Sequence, residues 1–493
     1  MAAKTIDGFH LPGVDARAVA EWEELPVAGL SAVVRHPGAT PSLVARVWEG
    51  LRDARRARGG IGAPPAALAA AAARTCELAR GEPYRSAIAR LARLSPPMVE
   101  HVLDGMLRGW SREALEDLLA AEFGGPAFPG AFAAVPGRPG VLRRAVAEDV
   151  VFHVFAANVP GVGVTAAIRT LLVGSAVFAK VGRGGSLLPA LFGRALAETD
   201  PELGACYAST WWPGEDSAAG AVAEAAALER ARLVVVYGGA AAVEAIRGRT
   251  AAGTRVVVHG PAVSVGILLR EAVASRAVDE TAAAAALAVA TFDQRGCTSP
   301  VALLVEGSAE TPIPAFGSAL ARELHRLALA LPPGDAEPSE AARRRQVLEA
   351  ALIRGETRGA GTGDAGPGGP GQARPSGPGA RGPHEPQEGH GVAVVPSERL
   401  RPEDFCSGRV VQVVEVPSAD KAVEALLPLA GRLQTVGVQG PRARVAALAD
   451  RLAHLGVSRI TSLAGMAWPP ADWRHDGSRP LDELVRWVDL ECG

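Results

Sequence analysis

The sequence has few aromatic residues, few cysteines and no long apolar run, and each shortage excludes a class of protein. Phe, Trp and Tyr make up 4% of the 493 residues, while alanine and glycine dominate, which favours closely packed helices and sheets. The five cysteines include no CxxC pair and no Cys/His ligand spacing, which argues against bound zinc and a disulfide framework. The longest apolar stretch, from Val151 to Val181, is interrupted by Asn158, Pro160 and Arg169, so we predict no membrane span.

Neither sign of charge dominates the chain. Lys and Arg number 51 against 53 for Asp and Glu, a formal net charge of −2, which indicates neither a nucleic-acid partner nor an anionic membrane surface. The first residues, Met-Ala-Ala-Lys-Thr-Ile-Asp-Gly, lack the apolar core of a signal peptide. We therefore expect a soluble cytoplasmic protein that binds no metal, no nucleic acid and no membrane.

The apolar pattern changes along the chain, whose length predicts two or three domains. From about residue 40 to 125 the apolar residues follow helical spacing. From about 145 to 310, short apolar runs alternate with alanine-rich segments, which predicts a mainly parallel, doubly wound α/β sheet. The predicted strands are Val150–Ala156, Ala176–Lys180, Leu233–Tyr237, Arg255–His259 and Val301–Val305. The predicted helices are Val164–Val173, Leu187–Glu198, Ala218–Ala231 and Thr281–Ala290.

The last third of the chain begins with a Gly/Pro-rich stretch at residues 355–391. It has almost no large apolar residues, so it cannot bury enough surface to offset its ordering entropy, and we predict a disordered insertion. In the tail, the apolar period from Leu481 to Val488 predicts a short docking helix. The elements predicted in between are the strands Val392–Val395, Val410–Val416 and Thr435–Val438 and the helix Ala419–Ala430.

Cys297 lies on a glycine-containing turn between an alanine-rich helix and the apolar run Val301–Val305. A thiol at such a turn can face a cleft while its own backbone amide points at the atom that the sulfur attacks. This is the geometry of a covalent acyl carrier, in which nucleophile and oxyanion donor come from one residue. The alternative is a buried cysteine that acts as a small hydrophobic residue.

Two strand ends before Cys297 carry polar side chains. Asn158 follows a strand and opens a helix, where a side-chain amide could complete an oxyanion hole, although a plain turn is the alternative. Lys180 and Arg183 place two cations at the carboxyl end of a parallel strand, which suits a phosphate-bearing ligand. The alternative for this pair is two solvated surface cations.

Taken in order, these segments resemble the aldehyde dehydrogenase superfamily, and most closely its thioester-reducing branch, the long-chain acyl-CoA reductases typified by LuxC. The segment Asp-Gln-Arg-Gly-Cys-Thr-Ser-Pro around Cys297 resembles the nucleophile motif of that branch. The segment Arg459–Thr461 and the tail from His475 to Leu481 resemble the C-terminal signature of acyl-CoA reductases. The resemblance covers about residues 95–493.

The resemblance implies a role for each of these residues. Cys297 is the expected nucleophile, and Asn158 occupies the position of the oxyanion-hole asparagine. Lys180 matches the lysine that contacts the adenosine ribose, and the Gly-Gly pair at 238–239 falls at the dinucleotide turn. The residues expected to bind the cofactor are Lys180, Arg183, Gly238, Gly239, Glu403 and Phe405.

Two positions depart from the superfamily pattern. Arg183 stands where NAD-preferring members carry a glutamate that accepts hydrogen bonds from the ribose, so we predict NADPH in preference to NADH. His259 stands near the position of the glutamate that activates water in oxidising members. The loss of this glutamate suits an acyl-enzyme that must persist until hydride is transferred to it. His259 could instead deprotonate the thiol of Cys297 or protonate the departing thiol. A histidine that merely ends a strand is the alternative.

The resemblance also implies an aldehyde dehydrogenase-like α/β fold with two doubly wound parallel-sheet domains after an N-terminal helical region. We expect the helical region over residues 1–140 and the dinucleotide-binding domain over 141–257. The catalytic domain should cover 258–465, including the insertion, and a return segment 466–493.

The function that follows is NADPH-dependent reduction of an acyl-CoA or acyl-carrier thioester to the aldehyde through an acyl-enzyme on Cys297. One alternative is an NAD(P)-dependent aldehyde dehydrogenase that makes the acid. Others are a cysteine acyltransferase or thioesterase without nicotinamide, and a non-catalytic member of the family. We further expect a homo-oligomer, to which an acyl-donating partner protein could bind.

Overall fold

The computed structural model describes residues 3–15, 17, 19–125, 128–214, 217–307, 313–354, 393–397 and 399–491. The predicted disordered insertion, residues 355–391, lies outside these described residues. Within them, every helix is too short or too polar to cross a lipid bilayer. The chain forms two compact units: the first comprises Met1–Ala262 and Trp468–Gly493, and the second comprises Val263–Ala467.

The elements are numbered in chain order. The strands are β1 (Lys4–Asp7), β2 (Trp22–Pro26), β3 (Ala32–Pro37), β4 (Ala133–Ala134), β5 (Val141–Ala147), β6 (Val150–Phe155), β7 (Ala176–Val181), β8 (Tyr207–Thr210), β9 (Leu233–Tyr237), β10 (Arg255–His259), β11 (Val263–Leu268), β12 (Pro300–Glu306), β13 (Ala393–Ser397), β14 (Val410–Val416), β15 (Leu433–Gln439), β16 (Arg459–Thr461) and β17 (Val485–Glu491). The helices are α1 (Pro41–Ala57), α2 (Pro65–Arg80), α3 (Tyr84–Ala92), α4 (Pro96–Gly109), α5 (Arg112–Phe123), α6 (Val162–Leu172), α7 (Leu187–Thr199), α8 (Pro201–Ala205), α9 (Ala218–Arg230), α10 (Ala240–Arg249), α11 (Val278–Ala290), α12 (Ile313–Ala330), α13 (Pro338–Ile353), α14 (Ala419–Ala425) and α15 (Arg442–His454).

The main sheet of the first unit has the strand order β10-β9-β6-β7-β8, and all of its pairs are parallel. The chain starts at β6, runs outward to β7 and β8, and then returns to the other side of β6 for β9 and β10. This reversal lies between β6 and β9. In doubly wound sheets, ligands bind at the carboxyl ends of the strands beside such a reversal. A ligand-binding site is therefore expected at the carboxyl ends of β6, β7, β9 and β10.

The N-terminal part of the first unit contains more strand than the sequence predicted. Three short strands form a separate sheet with the order β1-β3-β2 ahead of helices α1–α5. In β3 the side chains of Ala32, Val34 and His36 are buried in alternation, which is the period of a sheet with one covered face. The helices follow local signals: the hydroxyls of Ser95 and Ser111 accept hydrogen bonds from the first turns of α4 and α5.

One prediction for the tail is wrong: residues Leu481 to Val488 do not form the predicted docking helix. The chain makes a 3₁₀ turn at Asp482–Leu484 and then extends as β17, which pairs antiparallel with β5. The guanidinium of Arg143 on β5 donates two hydrogen bonds to the carboxylate of Asp489, at 2.7 and 3.0 Å. Pairing with a distant strand decides the conformation here, and the short apolar period does not.

The second unit is built on a six-stranded parallel sheet with the order β13-β14-β12-β11-β15-β16. Alternate residues of the central strand β12 enter two different cores. Leu303 and Val305 pack in a cluster with residues of α11 and α12, whereas Ala302 and Leu304 pack in a cluster with residues of α14 and α15. A parallel sheet covered on both faces explains the continuous apolar run of β12. The α/β class with doubly wound parallel sheets is thus confirmed.

Candidate functional site

Cys297 lies in the loop that joins α11 to the amino end of β12, a central strand of the second unit. The helix ends at Ala290, a 3₁₀ turn covers Thr291–Gln294, and β12 begins at Pro300. The residue is half-buried, and its side chain is a thiol. The sequence placed it on such a turn, and its role as nucleophile stays a prediction.

The backbone before Cys297 has an uncommon conformation. Phe292, Asp293 and Gln294 have φ angles of 59°, 51° and 61°, in the left-handed region. For residues other than glycine this region costs about 1–2 kcal/mol each. Three such residues in a row require specific contacts that hold them, and the side chains of Asp293 and Gln294 make these contacts.

Asp293 is fixed by donors from two other segments. Its carboxylate accepts hydrogen bonds from the guanidinium of Arg409 at 2.9 and 2.7 Å and from the amide of Gly334 at 2.9 Å. Its backbone carbonyl accepts the amide of Gly408 at 3.0 Å. Both charged side chains are nearly inaccessible, so each is buried with its opposite charge.

Gln294 links the cysteine loop to two strands. Its side-chain amide donates to the carbonyl of Pro300 at 2.9 Å and to the carbonyl of Val410 at 2.8 Å, and it accepts the amide of Val410 at 2.9 Å. The neighbouring Arg295 donates to the carboxylate of Glu340 on α13 at 3.0 Å. The Asp-Gln-Arg part of the motif is therefore the support of the loop that presents Cys297.

Ser264 at the start of β11 holds Cys297 itself. The Ser264 hydroxyl donates to the backbone carbonyl of Cys297 at 2.6 Å and accepts the amide of Thr435 at 3.2 Å. A single buried hydroxyl therefore links the peptide of the expected nucleophile to β11 and β15. Rigid support of this kind is what a reacting group requires.

The other described cysteines have a different environment. Burial raises the pKa of the Cys76, Cys206 and Cys406 thiols to about 11. Because the thiolate is the nucleophile, these thiols are poor nucleophiles at neutral pH. They fit the role of core residue that the sequence left as the alternative for Cys297. Cys492 lies outside the described residues.

Asn158 lies in the turn between β6 and α6, at the carboxyl edge of the first unit's sheet, and it is exposed. Gly161 caps the helix with φ 98°, and a Cβ there would approach Cγ of Met106 to 2.8 Å. Glycine at this position therefore sets how the turn enters α6. The expected oxyanion role of Asn158 stays a prediction.

Lys180 ends β7 and is not the solvated cation that the sequence allowed as an alternative. Its ammonium forms an ion pair with the carboxylate of Glu224 on α9, and the same carboxylate pairs with Arg249 at the end of α10. The side chain of Glu224 is buried, and that of Lys180 is mostly buried. Arg183, on the turn after β7, is exposed. The two predicted cations thus have different environments.

The Gly-Gly pair joins β9 to α10. Gly239 caps the helix in an extended conformation, and the amide of Gly238 donates to the carbonyl of His259 at 3.3 Å. A strand that runs through two glycines into a helix gives backbone amides access to an anion. The expected role of this pair as a dinucleotide turn stays a prediction.

His259 ends β10 and is paired with the tail of the chain. Its Nδ1 lies 3.1 Å from Oδ2 of Asp476, and the same oxygen lies 3.7 Å from Nε2 of His475. Burial, together with the nearby His259, lowers the pKa of His475 to about 3. The fully buried His153 of β6 has its pKa lowered to about 3 for the same two reasons. Neutral imidazoles therefore surround His259.

The ring of His259 belongs to a stack of four aromatic rings. The ring of Tyr237 lies 4.5 Å from it between ring centroids, and the ring of His475 lies 4.3 Å from it at an interplanar angle of 8°. Trp473 covers the far face of His475 at 4.5 Å. The stack fixes the plane of the His259 ring at the end of β10.

The cluster of His259, His475 and Asp476 contains three possible metal ligands within 4.8 Å of one another. An imidazole nitrogen binds a metal along its ring plane, at about 2.0–2.1 Å for zinc. The planes of the two stacked rings are nearly parallel, with ring centroids 4.3 Å apart, so an ion in the plane of one ring lies well outside the plane of the other. The geometry is that of a hydrogen-bonded pair inside an aromatic stack.

Glu403 and Phe405 lie beside a 3₁₀ turn of the second unit, Pro402–Asp404. The side chain of Glu403 is 60% exposed, whereas Phe405 is half-buried against the core below β14 and β15. Their expected role in binding the cofactor stays a prediction.

The predicted residues fall into two groups. Those that follow strand ends of the parallel sheet in the first unit are Asn158, Lys180, Arg183, Gly238, Gly239 and His259. Those in the second unit are Cys297, Glu403 and Phe405. The topology explains the first group, because all carboxyl ends of a parallel sheet lie at one edge.

Sequence reasoning missed the partners of these residues. Glu224 is the one acidic residue in the middle of the alanine-rich helix α9, which was a usable signal for a buried ion pair. Asp476 lies in the tail motif, but 217 residues separate it from His259 in the chain, so the sequence did not indicate their pairing. Arg409, 116 residues from Asp293, gave no signal at all.

A protein-family model matches most of the sequence. The model of the family described as acyl-CoA reductase (LuxC) matches residues 69–358 and 386–487, which is most of the chain. The two matched segments leave out the centre of the Gly/Pro-rich stretch. No curated protein matches the sequence.

Solved structures of similar fold are aldehyde dehydrogenases. Aldehyde dehydrogenase C of Pseudomonas syringae, a variant in complex with NAD+ and octanal, is 16% identical with a TM-score of 0.70, and 99% of this chain and 96% of that chain are covered. NADP-dependent glyceraldehyde-3-phosphate dehydrogenase of Bacillus halodurans C-125, in complex with NADP, is 16% identical with a TM-score of 0.68 over 97% of each chain. NAD-dependent benzaldehyde dehydrogenase of Corynebacterium glutamicum is 15% identical with a TM-score of 0.67 over 96% of each chain. The aldehyde dehydrogenase-like fold and the family resemblance are confirmed.

Proposed function

Because the chain belongs to the acyl-CoA reductase (LuxC) family, we propose that it reduces an acyl thioester to the aldehyde with NADPH, through an acyl-enzyme on Cys297. Family membership makes the protein an oxidoreductase of acyl or aldehyde substrates. The observation that carries the proposal is the support of the cysteine loop. A half-buried thiol is held on a loop fixed by the Asp293–Arg409 pair and by Gln294, as covalent catalysis requires.

In the proposed first step, Cys297 accepts the acyl group. The sulfur of Cys297 forms a bond to the thioester carbonyl carbon, and the bond from that carbon to the leaving sulfur breaks. The amides of the Cys297 backbone and the Asn158 side chain stabilise the negative charge on the carbonyl oxygen. The proton of the Cys297 thiol passes through His259 to the departing thiolate. The product is an acyl-enzyme and a free thiol of CoA or a carrier.

The residues of the first unit fit a phosphorylated dinucleotide. Lys180 and Arg249 share the single carboxylate of Glu224, so this cluster keeps one positive charge, and the exposed Arg183 adds another. Two excess cations suit the 2′-phosphate that distinguishes NADPH from NADH. The amino end of α10, after Gly239, offers backbone amides to the pyrophosphate. When bound, NADPH supplies the hydride that reduces the acyl carbon.

The residue at the end of β10 favours reduction over hydrolysis. His259 stands near the position where the oxidising enzymes are expected to carry a water-activating glutamate, and its Nδ1 is hydrogen-bonded to Asp476. An imidazole that shuttles one proton serves thioester exchange, whereas release of an acid needs a base that activates water. The acyl-enzyme is therefore kept for hydride. The homo-oligomer, the acyl-donating partner protein and the cytoplasmic location stay predictions.

The proposal is tested by the mass of the intact protein. Incubation with acyl-CoA should add one acyl group, and NADPH should then remove it with release of the aldehyde. Cys297→Ala should form neither adduct nor aldehyde, while Cys406→Ala, which removes a half-buried thiol of raised pKa, should keep both.

The same assay separates the alternatives. In the reverse direction, with an aldehyde and NADP+ as substrates, release of free acid together with formation of NADPH would identify an aldehyde dehydrogenase. Adduct formation without any binding of NADPH, measured by fluorescence titration, would identify an acyltransferase or thioesterase. A native protein that forms no adduct with any chain length would contradict the proposal.

A further inference from the structure

The hydrogen bond between His259 and Asp476 assigns the proton positions of the imidazole. Nδ1 of His259 lies 3.1 Å from Oδ2 of Asp476. A carboxylate only accepts hydrogen bonds, so Nδ1 carries the proton and donates it. The lone pair of the neutral ring is then on Nε2, which is the atom left to accept a proton.

The plane of the His259 ring is fixed as well as its tautomer. Tyr237 and His475 both stack against it, at 4.5 and 4.3 Å between ring centroids and with interplanar angles of 28° and 8°. Trp473 supports His475 from behind at 4.5 Å and 29°. A ring that turned about its Cβ–Cγ bond would lose the stacking contacts with Tyr237 and His475 and the hydrogen bond to Asp476. Nε2 therefore points in one direction.

Asp476 is itself held in place by the segment around it. Its φ of 52° puts a non-glycine residue in the left-handed region, which needs support from its neighbours. Arg474 and Arg479, on either side, both pair with the buried carboxylate of Glu122 at the end of α5, at 3.3 and 3.5 Å. The tail segment is thus anchored at both sides of Asp476.

From these contacts we infer that Asp476 is a positioning residue for the proton transfer assigned to His259, an inference that rests on the proposed function. It fixes Nδ1–H, leaves Nε2 as the base, and stabilises the imidazolium that forms when the proton of the Cys297 thiol is taken up. The proton then leaves from Nε2 to the departing thiolate, so His259 ends the step neutral. Asp476 stays ionised throughout and does not touch the reacting atoms.

The other groups that face the ring do not supply this role. His475 of the tail and His153 of β6 both have pKa values lowered to about 3 by burial, so they are neutral at the working pH. Tyr237 presents its ring face to His259, and Arg169 of α6 acts on His475 and disfavours its protonated form. Among these groups, Asp476 is the one that stabilises a positive charge on His259.

The test uses the full-length protein and follows the single-turnover release of CoA thiol from an acyl-CoA, with a thiol reagent, across pH 5 to 9. Asp476→Asn keeps the shape of the side chain but removes its charge. We expect release to slow about 10-fold to 100-fold, within the range that a general base contributes. Because the imidazolium loses its stabilising carboxylate, the acidic limb of the profile should move to lower pH.

Two variants separate positioning from general support of the fold. Asp476→Glu keeps a carboxylate and should keep the position of the acidic limb, even if it lowers the rate. Asp472→Asn changes an exposed carboxylate of the same tail and should leave both rate and profile unchanged.

Each result decides the inference. A rate loss in Asp476→Asn without movement of the acidic limb would assign Asp476 a structural role and overturn it, as would a moved limb in Asp476→Glu. If Asp476→Asn does not fold, the profile of Asp476→Glu decides alone. Failure of the proposed function itself looks different, because the native protein would then release no thiol.

Discussion

The carboxylate of Asp293 accepts two hydrogen bonds from the guanidinium of Arg409, at 2.9 and 2.7 Å, where 3% and 1% of the two side chains are exposed. This pair ties the left-handed turn before Cys297 to the residue that precedes β14. A buried ion pair adds little net stability, but removing one partner leaves a charge in the core. The pair is therefore a device that specifies one conformation of the cysteine loop.

Asp293→Asn should destabilise the second unit strongly, because Arg409 would be left buried without its counter-charge. The expected loss is about 3–5 kcal/mol, which lowers the melting temperature of a unit of this size by about 10 °C. Calorimetry measures it. Arg322→Ala removes an exposed pair with Asp279 and should change stability by less than about 1 kcal/mol. Equal losses in the two variants would show that the Asp293 pair has no special role.

Arg183→Glu should reverse the preference for NADPH, because the substitution exchanges an exposed cation for a carboxylate that accepts hydrogen bonds from ribose hydroxyls. A hydrogen bond to a charged group contributes about 1.5–3 kcal/mol, so the ratio of kcat/KM for the two cofactors should change at least about 10-fold. Arg56→Glu makes the same charge change on α1 and should leave the ratio unaltered. Loss of activity with both cofactors in equal measure would contradict this role of Arg183.

Most strands around the site could be predicted because they are continuous apolar runs bounded by glycine and charge. The predicted bounds of Leu233–Tyr237, Arg255–His259 and Val410–Val416 coincide with β9, β10 and β14. Strand ends in parallel sheets carry site residues, so the candidates in the first unit followed from the same pattern.

What could not be predicted depends on contacts between distant segments. β11, in the middle of its sheet, follows His259-Gly-Pro so closely that the two strands on either side are not separable by pattern. β17 carries a helical period but pairs with β5 through bonds such as Arg143 to Asp489. The partners Glu224, Asp476 and Arg409 are single polar residues, and nothing local marks which distant group each one meets.

Acidification should destabilise the protein in part through His36. Burial lowers the pKa of this ring to about 4 from its ordinary 6.5. The unfolded chain therefore binds the proton first as the pH falls. The contribution of His36 to the free energy of unfolding is fully present above pH 6.5 and is lost as the pH drops towards 4. The total loss is about 3 kcal/mol. His153 and His475, with pKa values lowered to about 3, act in the same direction.

His36→Gln should accordingly flatten the dependence of the unfolding midpoint in urea on pH between 7.5 and 5, without abolishing it. Glutamine does not titrate, and its amide can keep the contact that Nε2 makes with the hydroxyl of Ser186 at 3.3 Å. His325→Gln, at an exposed position of α12, should leave the dependence unchanged. The same slope in the native protein and in His36→Gln would exclude His36 as a titrating group of the fold.

A chelator should change neither activity nor melting temperature, because an ion in the ring plane of His259 lies well outside the ring plane of the stacked His475. A metal ion that binds the folded state and is present at a free concentration of about 100 times its Kd would add about 2.7 kcal/mol to the free energy of unfolding. Treatment with EDTA, followed by calorimetry and the aldehyde assay, measures this directly. A fall in melting temperature that zinc restores would contradict the geometric argument.

Ser264→Ala should slow acylation of Cys297, because it removes the hydroxyl that holds the Cys297 carbonyl at 2.6 Å and leaves the amide of Thr435 without this partner. An unsatisfied buried group costs about 1–3 kcal/mol. Ser458→Ala is the matched control, since its hydroxyl donates to the backbone carbonyl of Gln434 at 3.2 Å in the same unit.

The two serine variants are compared by melting temperature and by the rate at which the acyl adduct forms, followed by intact mass. Both should lose some stability, because each removes a hydroxyl bonded to a backbone carbonyl. Only Ser264→Ala should also slow the adduct, since a peptide that is not held lets the thiol and its own amide leave the geometry that the oxyanion requires. Equal adduct rates at equal stability would show that the loop before Cys297 suffices to position the nucleophile, and that Ser264 contributes packing alone.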